Sequence, residues 1–412
     1  MDIRVSILAP TAFPSITGNA ITAERWRRSL DRKGVCVRVL ATQDRDAPDL
    51  LHELELFGPS LVHVHHAFRA GGLILHPQTV SWLRHIPLVV SPGGTDINLD
   101  LEMDDRKETV REVYRMARFI IAQSAETSQR IRDLLPHLSN RVVLVPKSFH
   151  WLGLDVFDLR RAAGFDREDI LFFLPAGIRP VKGNLECLTA FEKVHNARPR
   201  AKVVFAGPAL DSDYVGRFGK KVWEFRSFAR WIPSIPPSAM RSAYEASDIV
   251  LNASSSEGLS NAMLEAIACG RPVLASDIPG NWWPVLGENG DSPAGCLFRR
   301  NDPEDFMRQA LSLIDDGKLR EAFSQAGLER TSRWPTPEVE AEALIRVYRA
   351  ALGREDLPGH KEEYPDLTLY KPEEQVFQRL CLCSYLSQLQ EAPEEEGTTA
   401  RPLSNVGERK DD

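Results

Sequence analysis

Four charged residues in the second half of the chain have the types and spacing to work on a phosphate-bearing ligand. Arg179 and Lys182 lie in Ala176-Gly177-Ile178-Arg179-Pro180-Val181-Lys182-Gly183. Glu257 and Glu265 lie eight positions apart in Ser254-Ser255-Ser256-Glu257-Gly258-Leu259-Ser260-Asn261-Ala262-Met263-Leu264-Glu265. A guanidinium offers a planar fork to phosphate oxygens, and an ammonium offers a point charge. Together the two cations can hold a diphosphate and stabilise the negative charge that grows on it as it departs.

The surrounding elements decide whether these groups can meet. The cationic segment directly follows the apolar run Ile170–Leu174, which reads as a buried strand. The glutamates follow a second such run, Ile249–Asn252, and lead into a helix. Glu257 then sits in the loop before the helix, and Glu265 about a turn inside it. Gly258 lets the backbone pass close to a ligand, and the amides of Leu259, Ser260 and Asn261 are unpaired at a helix start, open to an anion or sugar hydroxyls. Two glutamates here are also compatible with an ordinary acidic first turn. Cations at the end of another strand in the same half favour the ligand-facing reading.

Strand-like and helical stretches alternate along the whole of this region and the one before it. Ile3–Leu8, Val35–Leu40, Leu61–His65, Pro87–Ser91, Phe119–Ser124 and Val142–Val145 read as strands, with Ile21–Lys33 as an amphipathic helix. After a linker near Pro146–Phe165 the rhythm restarts, with Ala201–Ala206 and Pro272–Ala275 as further strands. The expected fold is α/β: two doubly wound, Rossmann-like domains facing across a cleft, residues 1–150 and 166–334. Glu338–Leu352 is expected to be a helix that completes the first domain. Residues 354–412, with scattered prolines and Glu394-Glu395-Glu396, read as a largely disordered tail in which only Glu373–Gln390 has helical periodicity.

Bulk properties narrow the partners. A chain of 412 residues exceeds what one core usually serves. A net charge of −7 argues against nucleic acid as the main partner, since that binding relies on clustered cations. Arg25-Trp26-Arg27-Arg28 reads as the solvated face of the first helix, and Glu24 as a surface residue. Ile3–Ala9 is too short and too charged-flanked for a signal peptide, and no stretch reaches the ~20 apolar residues of a membrane span. Six scattered cysteines without metal-site spacing fit a reducing compartment. A cytoplasmic location is expected, with peripheral membrane contact compatible with it.

The first half contributes candidates of its own. Asp96 follows Gly93-Gly94-Thr95, a loop able to deliver a catalytic carboxylate to the cleft or to cap the next helix. His65 and His66 end a strand, where they can reach an acceptor or serve as satisfied structural histidines.

Taken together, these motifs resemble the retaining family 4 glycosyltransferases, which have the GT-B fold. The likeness runs through Arg179 and Lys182, Phe205-Ala206-Gly207, Tyr244-Glu245-Ala246-Ser247-Asp248, Ser254–Glu265 and Glu265-Ala266-Ile267-Ala268-Cys269-Gly270-Arg271-Pro272-Val273. Thr17-Gly18-Asn19, Gly93–Asn98 and Ile278-Pro279-Gly280-Asn281 extend it over roughly residues 3 to 352. The resemblance implies that Arg179 and Lys182 bind a nucleotide diphosphate and that Glu265 binds the ribose hydroxyls. It further implies that Glu257, with Ser254 and the Gly258-Leu259-Ser260 backbone, contacts the donor sugar and phosphate. Trp231 and Ile232, after a strand, would lie beside the base, and Gly18 and Asn19 would approach the donor from the other side.

Three departures from the family pattern stand out. The spacer between Arg179 and Lys182 is short, Gly93 stands where many members carry a histidine, and Pro146-Lys147-Ser148 replaces a common Asn-Gly. The reaction implied is transfer of a glycosyl group from a nucleoside diphosphate sugar, a UDP-sugar favoured, to an unidentified acceptor with retained configuration. No metal and no separate cofactor are implied, because no Asp-x-Asp occupies a suitable loop and two cations can do a metal's electrostatic work. A sugar-nucleotide epimerase or phosphorylase, or a silent sugar-nucleotide-binding protein, shares these features. A dinucleotide oxidoreductase fits poorly, since Ala9-Pro10-Thr11-Ala12-Phe13-Pro14 lacks the glycine-rich turn.

Overall fold

The computed structural model describes residues 3–287, 291–355 and 357. The expected helical stretch Glu373–Gln390 lies outside them. Twelve strands among the described residues form two six-stranded sheets in which every pairing is parallel.

The first sheet comprises β1 (Arg4–Ala9), β2 (Cys36–Ala41), β3 (Leu61–His65), β4 (Leu88–Ser91), β5 (Phe119–Ala122) and β6 (Val142–Leu144), in the order β2-β1-β3-β4-β5-β6. Parallel neighbours need helical crossovers, which cover both faces and leave the strands apolar throughout. Alternation along each strand divides its side chains between two cores. Leu8, Val62, Val64, Val90 and Ile120 point into one, while Val5, Ile7, Leu61, Val89 and Ile121 point into the other. The second of these cores also takes Leu344, Val347 and Tyr348 from the helix Pro337–Ala351. That helix starts where Thr336 caps it and Pro337 occupies its first turn.

The second sheet comprises β7 (Ile170–Pro175), β8 (Ala201–Ala206), β9 (Ala229–Ile232), β10 (Ile249–Asn252), β11 (Val273–Ser276) and β12 (Gly295–Phe298), in the order β12-β11-β10-β7-β8-β9. β12 is a four-residue edge strand that carries no sequence signal of its own beyond Cys296, Leu297 and Phe298.

In each sheet the strand order reverses once, between β1 and β3 and between β7 and β10. Crossovers diverge to opposite faces there, which opens a crevice at the carboxyl ends of the strands. Arg179 and Lys182 follow β7, and Glu257 follows β10, so the topology itself gathers them.

Candidate active site

The crevices of both lobes form one cleft, with a cavity of about 440 Å³. His65, His66 and Gly18 line it from the first lobe, and Arg179, Lys182 and Glu257 from the second.

One glycine brings the second wall together. Gly183 has φ +61°, and a Cβ there would lie 2.3 Å from the Ala253 carbonyl oxygen. Only glycine therefore lets the loop after β7 lie against the loop after β10. As a result, Lys182 Nζ donates to Glu257 Oε1 at 2.6 Å. Ser254 Oγ donates to the same oxygen at 2.6 Å, and Asn252 Nδ2 at 3.3 Å. Burial pushes the Glu257 carboxyl up, but the Lys182 charge and these hydrogen bonds outweigh it and hold its pKa below the usual value.

Arg179 lies beside this pair in a different state. Its guanidinium has no hydrogen bond or ion pair among the described residues, and its Nε is buried without a partner. Burial and then the field of Arg69 lower its basicity, with Glu257 opposing. It remains a cation with open donors.

Glu265, buried in the helix Asn261–Ala268, has both oxygens engaged. Tyr244 Oη donates to Oε2 at 2.7 Å, and Arg25 Nη2 reaches across from the first lobe to Oε1 at 2.6 Å. Ser260 precedes this helix without a side-chain cap, which leaves the first-turn amides to other partners.

The lobes touch at several further points. Asn98 Nδ2 donates to the Glu257 carbonyl at 2.9 Å, Asn261 Nδ2 to the Gly18 carbonyl at 3.3 Å, and Lys147 Nζ to the Leu259 carbonyl at 3.0 Å. Gly94, with φ +103°, has its would-be Cβ 2.9 Å from the Gly258 amide nitrogen. Two glycines thus meet backbone to backbone across the cleft. Asn19, Ser254, Leu259 and Ser260 complete the sequence-predicted residues found on its walls.

Four expectations need correction. Asp96 does not present a carboxylate to the cleft: it is fully buried, and its oxygens accept the amides of Ala67, Gly93, Gly94 and Ile97 plus the Tyr114 hydroxyl. It shapes the loop after β4 from behind. Trp231 and Ile232 lie within β9 and not after it, and they are absent from the cleft wall. The Trp231 indole instead donates to the Gly207 carbonyl, so Gly207 and Pro208 are what the cleft meets there.

Arg25 and Trp26 are no solvated face, being 5% and 2% exposed. Glu24 is likewise buried, and accepts from both Arg27 and Arg28. The physical reason is shared: the helix Gly18–Arg32 packs under the helix Pro337–Ala351 on one side and faces the second lobe on another. Little of its circumference is left for water.

Several cleft residues escaped the sequence reading. Tyr244 lies in the segment Tyr244–Asp248, to which the family likeness gives no role, and Lys147 stands in the segment that departs from the family's Asn-Gly. Lys147 is buried, and its burial brings the pKa down to about 8. Arg69 had no signal at all. His65 Nδ1 lies 3.0 Å from Ser91 Oγ and His66 Nε2 lies 2.9 Å from Thr95 Oγ1, and burial lowers the pKa of both rings. A Cβ on Gly93 would lie 2.6 Å from His66 Cδ2, so the imidazole of His66 fills the space where a side chain at 93 would begin.

Two parallel sheets that meet at their switch points across a ligand-sized cleft define the GT-B fold of glycosyltransferases. Sucrose-phosphate synthase from Thermosynechococcus elongatus superimposes with a TM-score of 0.70 at 16% identity, over 85% of this chain and 99% of that one. Anabaena HepE in complex with UDP-glucose gives a TM-score of 0.68 at 13% identity, over 84% of this chain and 100% of that one. Sequence narrows the class. Residues 155–330 match the family described as Glycosyl transferases group 1. Glycosyltransferase 1 domain-containing protein 1 of Xenopus tropicalis is 28% identical over 77% of this chain and 89% of its own. A D-inositol 3-phosphate glycosyltransferase of Segniliparus rotundus is 28% identical over 47% of this chain and 42% of its own length. Residues 155–330 are thus a domain of the glycosyl transferases group 1 kind on a GT-B frame, and the chain is an enzyme of the glycosyltransferase class.

Proposed function

We propose that the enzyme moves a glycosyl group from a nucleoside diphosphate sugar, preferably a UDP-sugar, to an acceptor with retention of configuration and without a metal. The observation that carries this reading is Arg179, its guanidinium unpartnered among the described residues, beside the Lys182–Glu257 pair at the switch point of β7 and β10. A diphosphate arriving there meets two cations, and the same cations stabilise it as a leaving group. Glu265 then binds the ribose hydroxyls, and Glu257 with the Gly258–Ser260 backbone binds the sugar and phosphate.

Glu257 and Glu265 are the acids among the described cleft-lining residues, and each is already held by a cation. With neither free to act as a nucleophile, a retaining transfer here goes through departure of the diphosphate, with the acceptor attacking from the same face. A thermal-shift screen with nucleoside diphosphates and their sugars identifies the base, since a ligand of the native state raises stability by mass action. Lys182→Ala and Glu265→Ala are each expected to weaken donor use by about tenfold or more. Full activity in both variants with a proven donor overturns the assignment.

A further inference from the structure

The charges on the cleft wall do not balance. Arg25, Arg69, Lys147, Arg179 and Lys182 line it against Glu257 and Glu265 as the acids among the described lining residues. Lys182 neutralises Glu257, and Arg25 neutralises Glu265. Lys147 is spent on the Leu259 carbonyl, in the field of Glu340, Glu257 and Glu265. Two guanidiniums are left over, one from each lobe.

Arg69 is the one on the first lobe. It follows β3 in the loop that begins at His66, and its backbone is tied down at both ends. Its amide donates to His66 Nδ1 at 3.2 Å, and its carbonyl accepts from Thr42 Oγ1 at 3.1 Å. Its side chain is exposed and has neither a hydrogen bond nor an ion pair among the described residues. Arg179 stands opposite, close enough for the two charges to disfavour each other. Two like charges converging on one cavity from fixed loops are unfavourable until an anion enters between them.

The donor reading uses Arg179 and Lys182 for its diphosphate and leaves Arg69 without a partner. Resting on that reading, we propose that Arg69 binds an oxyanion carried by the acceptor, a phosphate or a carboxylate, on the first-lobe side of the cleft. The guanidinium fork suits either group bidentately, and its place beside His66 and Thr95 sets the anion next to the transferred sugar. The acceptor is accordingly an anionic molecule. Its charge also offsets the second guanidinium when the donor is in place.

The test uses the full chain with UDP and inorganic phosphate as probes. Arg69 is exposed and contributes only backbone atoms to the fold, so Arg69→Ala is expected to stay folded. UDP should bind wild type and Arg69→Ala with dissociation constants within about twofold of each other, because the donor side is untouched. Phosphate added over saturating UDP, at constant ionic strength, should then raise the melting temperature of wild type. That increment should vanish in Arg69→Ala and shrink in Arg69→Lys, which keeps the charge but loses the fork. Equal phosphate increments in wild type and Arg69→Ala overturn the proposal. So does an about tenfold loss of UDP affinity in Arg69→Ala, which moves the residue to the donor diphosphate. Failure of wild type to bind any nucleoside diphosphate sinks the donor reading itself, a result distinct from the other two.

Discussion

Arg25 Nη2 and Glu265 Oε1, from opposite lobes, lie 2.6 Å apart with both side chains over nine-tenths buried. The glutamate proposed to bind the donor's ribose is thus held by the other lobe. Removing one partner of such a pair leaves an uncompensated buried charge, which is costlier than losing both. Arg25→Met and Glu265→Gln should each destabilise the protein by about 3 kcal/mol. The double variant should lose less than the sum, with a coupling of about 2 kcal/mol in denaturant titrations. Strict additivity refutes a direct interaction.

Asp96 tests the distinction between shaping a cleft and acting in it. Asp96→Asn replaces an acceptor of four backbone amides with a group that can accept only through one oxygen. The expected loss is about 3 kcal/mol of stability, with UDP affinity close to wild type once the variant is kept cold enough to fold. Unchanged melting temperature with abolished turnover would reinstate it as a catalytic carboxylate.

Gly94 and Gly258 leave no room between the lobes. Gly94→Ala puts a methyl 2.9 Å from the Gly258 nitrogen and forces a left-handed backbone on alanine. The strain alone is worth about 2 kcal/mol. Because the methyl also props the lobes apart, donor affinity should fall more than Gly34→Ala allows, a position with φ +80° and open space around it. Equal effects at the two positions would leave only the strain.

Acid should unfold this protein earlier than its carboxylates require. His63, buried between Tyr348 and Ser91, is pushed down to about 3 by burial, against 6.5 for an exposed imidazole. The unfolded chain therefore binds a proton between those values that the folded one refuses, so stability is full above pH 6.5 and drops as pH falls below it. At pH 5 this one ring costs about 2 kcal/mol. His65 and His66 shift in the same direction, while the raised carboxyl of Glu340 acts oppositely. Melting temperatures from pH 7.5 to 5 should decline, and a flat profile would contradict the buried histidine cluster.

Much of the frame was readable from residue order. The strand runs Leu61–His65, Ala201–Ala206 and Ile249–Asn252 coincide with β3, β8 and β10, because continuous apolar runs are what strands covered on both faces require. The cleft placement of Arg179, Lys182, Glu257 and Glu265 follows from their positions after or beside strand ends. What could not be read is how the lobes meet. Arg25 and Glu24 have the sequence of a wet helix face, and only the return of the helix Pro337–Ala351 and the approach of the second lobe dry that face. The place of Trp231 is illegible for a similar reason: a strand of four residues, Ala229–Ile232, is too short for the sequence to fix which residues follow it.

The helix Pro337–Ala351 has a consequence for the order in which the protein is made. Residues 4 to 144 supply every strand of the first lobe, yet the core on one face of that sheet lacks Leu344, Ile345, Val347 and Tyr348 until this last described helix appears. During synthesis the first lobe emerges with that face only partly covered, by Ala23, Trp26 and Leu30 of the helix Gly18–Arg32, and waits while the entire second lobe is translated. The second lobe's strands, contiguous from 170 to 298, can close their own core in the meantime. The half that begins first is the half that finishes last, and the part of that face left open is the surface a nascent-chain chaperone would have to cover.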